Sequence, residues 1–264
     1  MSSSASDLHE RPEHPERHIR LDGTRNLRDT GGYPAAAGRR TRWHTLLRSD
    51  ELTVLPAHAR DELRELGVRQ FVDLRWPDEL ASSPNVFADD ADIRYTSIPL
   101  LADDPSPEFG LDGMYRHVLD ERWEQLGEVV RAILAPGGLP VVIGCAAGKD
   151  RTGVTIALLL ALCGVPDSVI VADYAMSAET FAGSNETFPL SDWRRSLRFP
   201  VESPPEYMAT TLVHLQREHG GARALLRSIG LTDAELDRLV GALTEPIEAE
   251  GGAGSGADAG RAGT

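Results

Sequence analysis

The segment PVVIGCAAGKDRTGVTIALLLALCGVP, residues 140–166, constrains the fold more than any other part of the chain. Val141, Val142, Ile143 and Gly144 form an apolar run with no polar alternation, the pattern of a strand covered on both faces. Arg151 to Leu162 follows as an apolar helix closed near Gly164-Val165-Pro166. A strand buried on both faces and followed at once by a helix belongs to a sheet whose neighbours are reached by crossovers. The expected class is therefore α/β, with a central, mostly parallel sheet flanked by helices.

The rest of the chain fits that class. RTRWHTLL, VRQFVDLR and DIRYTSIPL read as strands, and PAHARDELRELG reads as a helix with a proline start and a glycine stop. From Met114 to Ala135 apolar residues recur at helical spacing, giving one long expected helix. Helices are expected over Asp167 to Ser177, near Trp193, and over Pro204 to His219, Ala222 to Ile229 and Thr232 to Leu243. The last opens on a capping box, Thr232 with Glu235 three places on. Residues 1–18 are polar and the Gly/Ala/Ser-rich end is linker-like, so one domain is expected over 19–243, with disordered segments at 1–18 and 244–264.

Net charge is −14, which disfavours nucleic acid and acidic membrane as partners; an anionic substrate must be drawn by a local basic site. Two cysteines, Cys145 and Cys163, are too few for a disulfide framework and lack metal-ligand spacing. With no signal-like segment at the start and no apolar run long enough to span a bilayer, a cytoplasmic protein is expected. His9, His14 and His18 are irregularly spaced, and neither a metal nor a cofactor is expected.

Cys145 ends the buried strand and Arg151 begins the helix, with Ala146, Ala147 and Gly148 small enough for the backbone between them to curl N–H groups inward. Such a nest at a helix amino end binds an anion, and Arg151 adds a bidentate fork. The converging positive potential should favour the thiolate. A thiolate beneath a bound phosphoryl group is arranged for in-line displacement through a phosphocysteine. Thr152 is placed to hydrogen-bond the sulfur. Cysteine is also a common small core residue, and Cys163, set among leucines, reads as core filler.

CAAGKDRTG resembles the phosphate-binding loop of the bacterial protein tyrosine phosphatases related to the secreted mycobacterial enzyme, members of the cysteine-dependent phosphatase superfamily with lipid-phosphatase-like sites. GTRNLRDTGGY, LLRSDEL, GVRQFVDLRWPDE, VADYAMS and GARALLRSIGLTDAELDRLVGAL are similar to that family's other blocks in the same order, over roughly residues 19–243. The resemblance implies the cysteine-dependent phosphatase fold and a protein tyrosine phosphatase with dual-specificity or phosphoinositide activity. It makes Cys145 the nucleophile and Arg151 the phosphate clamp. Lys149 and Asp150 carry over by their position in the loop, and the aspartate is implicated in catalysis. Together with the loop's own reading, Ala146, Ala147, Gly148, Lys149 and Thr152 are the expected substrate-binding positions. Lys149 would favour multiply charged substrates such as phosphoinositides. One position departs: the family usually carries histidine before the cysteine, and here it is Gly144.

A leaving alkoxide or phenoxide needs a proton. Asp150 is the first candidate, Asp73 at the end of FVDLR the second, and Asp103 or Asp104 the third, although aspartates at strand ends often only cap turns. Arg75 either contacts substrate or pairs with Glu79. Arg28 either approaches the site from the N-terminal segment or, as the favoured reading, makes a structural ion pair. Arg194, Arg195 and Arg198 form a basic cluster that is either a solvated face or a steering lid. Two other functions fit a loop cysteine: a phosphate-binding module of weak or no activity, for which Gly144 is the support, and rhodanese-type sulfur transfer, against which GKDRTG argues.

Overall fold

The structure, a computed structural model, describes residues 17–101, 110–181 and 203–247. Its centre is a five-stranded sheet with the order β1 (Arg28–Asp29), β4 (Leu46–Ser49), β7 (Val141–Gly144), β5 (Gln70–Asp73) and β6 (Arg94–Ser97). β4, β7, β5 and β6 run parallel, and β1 is antiparallel to β4. The expected α/β class with a mostly parallel sheet is the observed one. Ser49, Gly144, Asp73 and Ser97 pair across one row at the carboxyl edge.

The alternation along β7 sorts two cores. Val141 and Ile143 pack with residues from α3 (Gly110–Glu121), α4 (Trp123–Leu134), α5 (Asp150–Leu162), α6 (Asp167–Phe181), α7 (Pro205–His219), α8 (Ala222–Ser228) and α9 (Asp233–Leu243). Val142 faces the other way and packs with Leu47, Phe71 and residues of α1 (Ala57–Glu65). Both faces of β7 are thus covered, which is why its sequence shows no polar alternation. α5 is buried around nearly its whole circumference, as an apolar helix must be. The capping box of α9 is present, with Thr232 and Glu235 bonded reciprocally.

Several expectations are corrected. RTRWHTLL is not one strand: β3 (Arg39–Thr41) pairs with β2 (Pro34–Ala35) and β8 (Thr244–Pro246) in a second, antiparallel sheet, and β4 begins only at Leu46. The turn between them is stapled by buried Asp29, whose carboxylate accepts the His44 N–H at 2.7 Å and the Gly31 N–H at 2.8 Å. The helix expected over 114–135 is two, α3 and α4, divided at Arg122 where ψ reaches 28° with no proline or glycine to mark it. Ordered structure also runs past both expected boundaries. Thr244 is fully buried in β8, opposite Thr41. Arg17 lies 3.8 Å over the Tyr33 ring, donates to the Asp29 carbonyl at 2.8 Å, and is followed by a bridge from His18 to Arg28. The helix expected near Trp193, the cluster Arg194, Arg195 and Arg198, the acids Asp103 and Asp104, and His9 and His14 lie outside the described residues. Among the described residues no helix is long and apolar enough to cross a membrane.

Candidate active site

Cys145 leaves the central strand at the carboxyl edge of the sheet and is almost completely buried. The chain then turns through 146–149 and enters α5 at Asp150. This turn is held from outside by its carbonyls. The Ala146 carbonyl accepts the Glu51 N–H at 3.3 Å. The Ala147 carbonyl accepts Asn26 Nδ2 at 2.9 Å. The Gly148 carbonyl accepts Arg48 Nη2 at 2.7 Å and Asn26 Nδ2 at 3.2 Å. In a trans peptide the carbonyl and the next N–H point in opposite directions. Anchoring three carbonyls outward therefore turns the N–H groups of Ala147, Gly148 and Lys149 inward. The first intrahelical bond of α5, Gly153 N–H to the Lys149 carbonyl at 2.8 Å, leaves the N–H groups ahead of it without a partner in the helix. An inward nest and a helix amino end converge beside one sulfur.

Gly148 has to be glycine. Its φ is 65°, and a Cβ there would lie 2.4 Å from the Ser49 carbonyl oxygen. Gly144 is glycine for a different reason: a Cβ would lie 2.5 Å from Phe71 Cζ. The buried Phe71 ring, on the neighbouring strand β5, fills the place in which a side chain before the cysteine would sit.

Arg151, in the first turn of α5, is held by a fork. Its Nη1 and Nη2 donate to Glu79 Oε2 and Oε1 at 2.6 and 2.9 Å, and its guanidinium lies 4.9 Å from the Trp76 ring centroid. Glu79 also accepts the Trp76 N–H at 2.7 Å at the start of α2 (Pro77–Ser82). Burial opposes the Arg151 cation, but the charges and hydrogen bonds of Glu79 and the charges of Cys145 and Asp150 outweigh it and raise its pKa.

The partner of Glu79 is Arg151 and not Arg75. Arg75, with no exposure, instead clamps the equally buried Asp73 at 2.9 Å and reaches Glu51 at 2.9 Å, so it neither faces solvent nor pairs with Glu79. Asp73 also lies 3.2 Å from the Tyr95 hydroxyl and 3.5 Å from Asn85 Nδ2. Asp150 is in another setting. It is partly exposed, accepts the Tyr115 hydroxyl, and lies 3.5 Å from the Lys149 ammonium, itself buried. Tyr115 in turn shares a 2.6 Å contact with the Tyr174 hydroxyl. Burial, with the nearby Asp150 charge, raises the Tyr115 pKa well above the ordinary tyrosine value, so the phenol stays protonated and donates.

Thr152 is fully buried, and among the described residues its hydroxyl has no hydrogen-bond partner, the Cys145 sulfur included. Cys163 lies in the core, where burial, opposed by Arg39, pushes its thiol up to about 12.

Behind the loop sits a buried charge cluster that sequence reasoning did not assemble. Asp173 of α6 pairs with Arg48 at 2.5 Å and with Arg28 at 3.4 Å, and accepts the Tyr33 hydroxyl at 3.0 Å. Arg28 is thus a structural ion pair, as expected. Arg48 links this cluster to the Gly148 carbonyl, and Asn26 links it to Ala147. Asn26 itself is fixed by its backbone N–H to Asp50 at 3.0 Å. The motifs NLRD, LLRSD and VADY that supply these residues were visible in the sequence, but their joint contact with the loop was not.

Residues 19–245 match the profile of the tyrosine phosphatase family. A tyrosine-protein phosphatase of Nostoc commune is 33% identical over 211 residues, covering 73% of this chain and 72% of its own. The triple specificity protein phosphatase PtpB of Mycobacterium tuberculosis is 29% identical over 280 residues, covering 84% of this chain and 98% of its own. With that match spanning residues 19–245, the chain belongs to the tyrosine phosphatase family.

Proposed function

We propose that Cys145, Arg151 and Asp150 hydrolyse phosphate monoesters in two displacements. Phosphotyrosine is the principal substrate, and serine/threonine phosphates and phosphoinositides are further ones. The inward amides of Ala147, Gly148 and Lys149 and the Arg151 guanidinium grip the phosphoryl oxygens over the sulfur. The Cys145 thiolate attacks phosphorus, the bond from phosphorus to the leaving oxygen breaks, and that oxygen takes a proton from Asp150. In the second step water attacks phosphorus and gives a proton to Asp150. The P–S bond breaks to return the thiolate, and inorganic phosphate leaves.

Asp150 is preferred to Asp73 as the acid because its carboxyl is partly exposed beside the loop, whereas that of Asp73 is fully buried and held by Arg75. Lys149 and the small residues Ala146, Ala147 and Gly148 form the substrate-binding wall. Thr152 is assigned to the same pocket on position alone, one residue beyond the clamp.

The observation that carries this reading is the outward anchoring of the loop carbonyls of 146, 147 and 148 by Glu51, Asn26 and Arg48. The Phe71 ring at Gly144 favours an active enzyme over a mere phosphate reader, since no void is left behind the cysteine where the family's usual histidine is missing. The test is release of phosphate from p-nitrophenyl phosphate in the presence of a chelator, beside Cys145→Ser. Turnover by the wild type and none by the variant is expected. Binding of phosphopeptide without any release would leave only the phosphate reader. Comparing kcat/KM over phosphotyrosine peptides, phosphoserine peptides and phosphoinositides, with Lys149→Ala in parallel, sets the substrate range. A loss in the variant confined to the phosphoinositides would assign the lysine to them.

A further inference from the structure

Away from the catalytic loop, at the carboxyl ends of α3 and α7, three side chains with metal-binding chemistry meet. His214 Nε2 and His219 Nε2 lie 2.8 and 2.7 Å from the same oxygen, Asp120 Oδ1. The ring centroids are 5.8 Å apart and tilted by 70°. One ligand atom from each residue falls within a 4.8 Å set. We propose that Asp120, His214 and His219 form a binding site for a divalent first-row transition cation, with Zn²⁺ as the ion it suits.

The convergence is not what helix spacing alone would produce. Residues five apart on an α-helix are offset by about 140° around its axis and do not share a face. Here α7 ends at His219, and Gly220 follows with a left-handed φ of 72°. The closing turn bonds the Gly220 N–H to Gln216 and the Gly221 N–H to Leu215. His219 therefore stands on the last helical residue, and Asp120, in the final turn of α3, supplies the common centre. A plain helix-end ion pair needs one histidine and one carboxylate. This arrangement brings two imidazole nitrogens to a single oxygen.

The ligand set is N₂O, which suits borderline cations such as Zn²⁺ over the all-oxygen cages of Mg²⁺ or Ca²⁺. A tetrahedral Zn²⁺ with bonds of about 2.0–2.2 Å holds its ligand atoms about 3.3 Å apart. Each ring nitrogen would recede from the carboxylate oxygen by about half an ångström on that estimate. The side chains have room to do so, with exposures of 36% for Asp120 and 18% and 19% for the histidines. The same exposure admits water as the fourth ligand. Because its ligands come from two helices, the ion would staple α3 to α7. The proposed phosphoryl chemistry assigns it no part, since that reading rests on the Cys145 loop alone.

The test is titration of the full chain with Co²⁺ and Zn²⁺ on a Cys145→Ser background, which removes the catalytic thiolate as a competing ligand. Expected for the parent are visible d–d absorption on adding Co²⁺, its displacement by Zn²⁺, and a Zn²⁺-dependent rise in Tm. His214→Gln and His219→Gln should each weaken the site at least tenfold. The double variant should lose one equivalent of metal and the Tm rise, while its far-ultraviolet circular dichroism is unchanged. A double variant that binds the same number of ions with the parent's affinity would overturn the proposal, because His9, His14 and His18 or another site would then hold the ion. A parent with no saturable Co²⁺ or Zn²⁺ binding would overturn it directly.

Discussion

Glu79 grips both terminal nitrogens of Arg151, at 2.6 and 2.9 Å, and both side chains are close to nine-tenths buried. The carboxylate sets the plane of the guanidinium before any substrate arrives, so the fork does not have to be ordered at the moment of binding. Glu79→Gln keeps the shape and removes the charge. Its kcat/KM for an aryl phosphate should fall by about tenfold, equal to about 1.4 kcal/mol of transition-state stabilisation. Phosphate and vanadate should bind more weakly by a similar factor. Steady-state kinetics with product inhibition by phosphate checks this, and an unchanged kcat/KM would remove Glu79 from the positioning of the clamp.

Gly144 and Phe71 form a steric pair across β7 and β5. A Cβ on residue 144 would sit 2.5 Å from Phe71 Cζ, closer than side chains approach. Gly144→Ala should therefore destabilise the fold by about 1–3 kcal/mol through overpacking. Phe71→Leu should also destabilise it, by leaving a cavity. The double variant should be more stable than the sum of the two losses implies, because each change makes room for the other. Urea unfolding of the four proteins measures the coupling. Strict additivity would mean that the ring does not occupy the space behind the cysteine.

The strand–loop–helix unit around Cys145 was legible because everything that specifies it is local: an apolar run, small residues, an arginine five places past the loop's first alanine, and an apolar helix. The residues that hold the unit in shape were not legible as such. Asn26 reaches the loop across 121 positions, Arg48 across 100 and Glu79 across 72. Each sits in an ordinary polar stretch that carries no mark of its eventual partner. Arg75 shows the limit most directly. Its sequence position lies beside Asp73 and near Glu79, but which carboxylate it chose was decided by the fold of α2, which carries Glu79 to Arg151. The break at Arg122 was hidden for the opposite reason. The hydrophobic periodicity continues through it, and the change is confined to the backbone angles of one residue, φ −110° and ψ 28°.

The settings of Asp150 and Asp73 separate their roles. Asp150→Asn should reduce kcat by about 10²–10⁴, the usual range for a general acid, with a smaller loss for substrates that have good leaving groups. The limb of the pH–rate profile that requires the protonated acid should disappear. Asp73→Asn should act mainly on stability: it leaves the buried Arg75 cation short of its principal partner, a change that costs about 3–5 kcal/mol when one member of a buried pair is removed. Its kcat below the new unfolding transition should stay within a few-fold of wild type. Kinetics on p-nitrophenyl phosphate and on an alkyl phosphate, together with thermal unfolding, distinguish the two. A profile limb lost in Asp73→Asn and kept in Asp150→Asn would exchange the roles.

Asp173 makes the loop's support sensitive to acid. Burial alone would raise its pKa, but Arg48, Arg28 and Arg17 and the Tyr33 hydrogen bond outweigh burial and lower it to about 2, from an ordinary 3.8. A carboxyl whose folded pKa lies below its unfolded value binds more protons when unfolded. Its stabilisation is therefore fully present above about pH 4 and is lost as pH falls toward 2. The shift corresponds to about 2 kcal/mol. Because Arg48 joins Asp173 to the Gly148 carbonyl, protonation should slacken the phosphate loop as well as the fold. The expected result is a fall in unfolding free energy between about pH 4 and 2 whose slope is reduced in Asp173→Asn. That variant should be less stable than wild type at neutral pH and should lose affinity for vanadate. Urea titrations across this range, each paired with vanadate binding at neutral pH, measure both effects. An unchanged acid slope in the variant would show that other carboxylates carry the dependence.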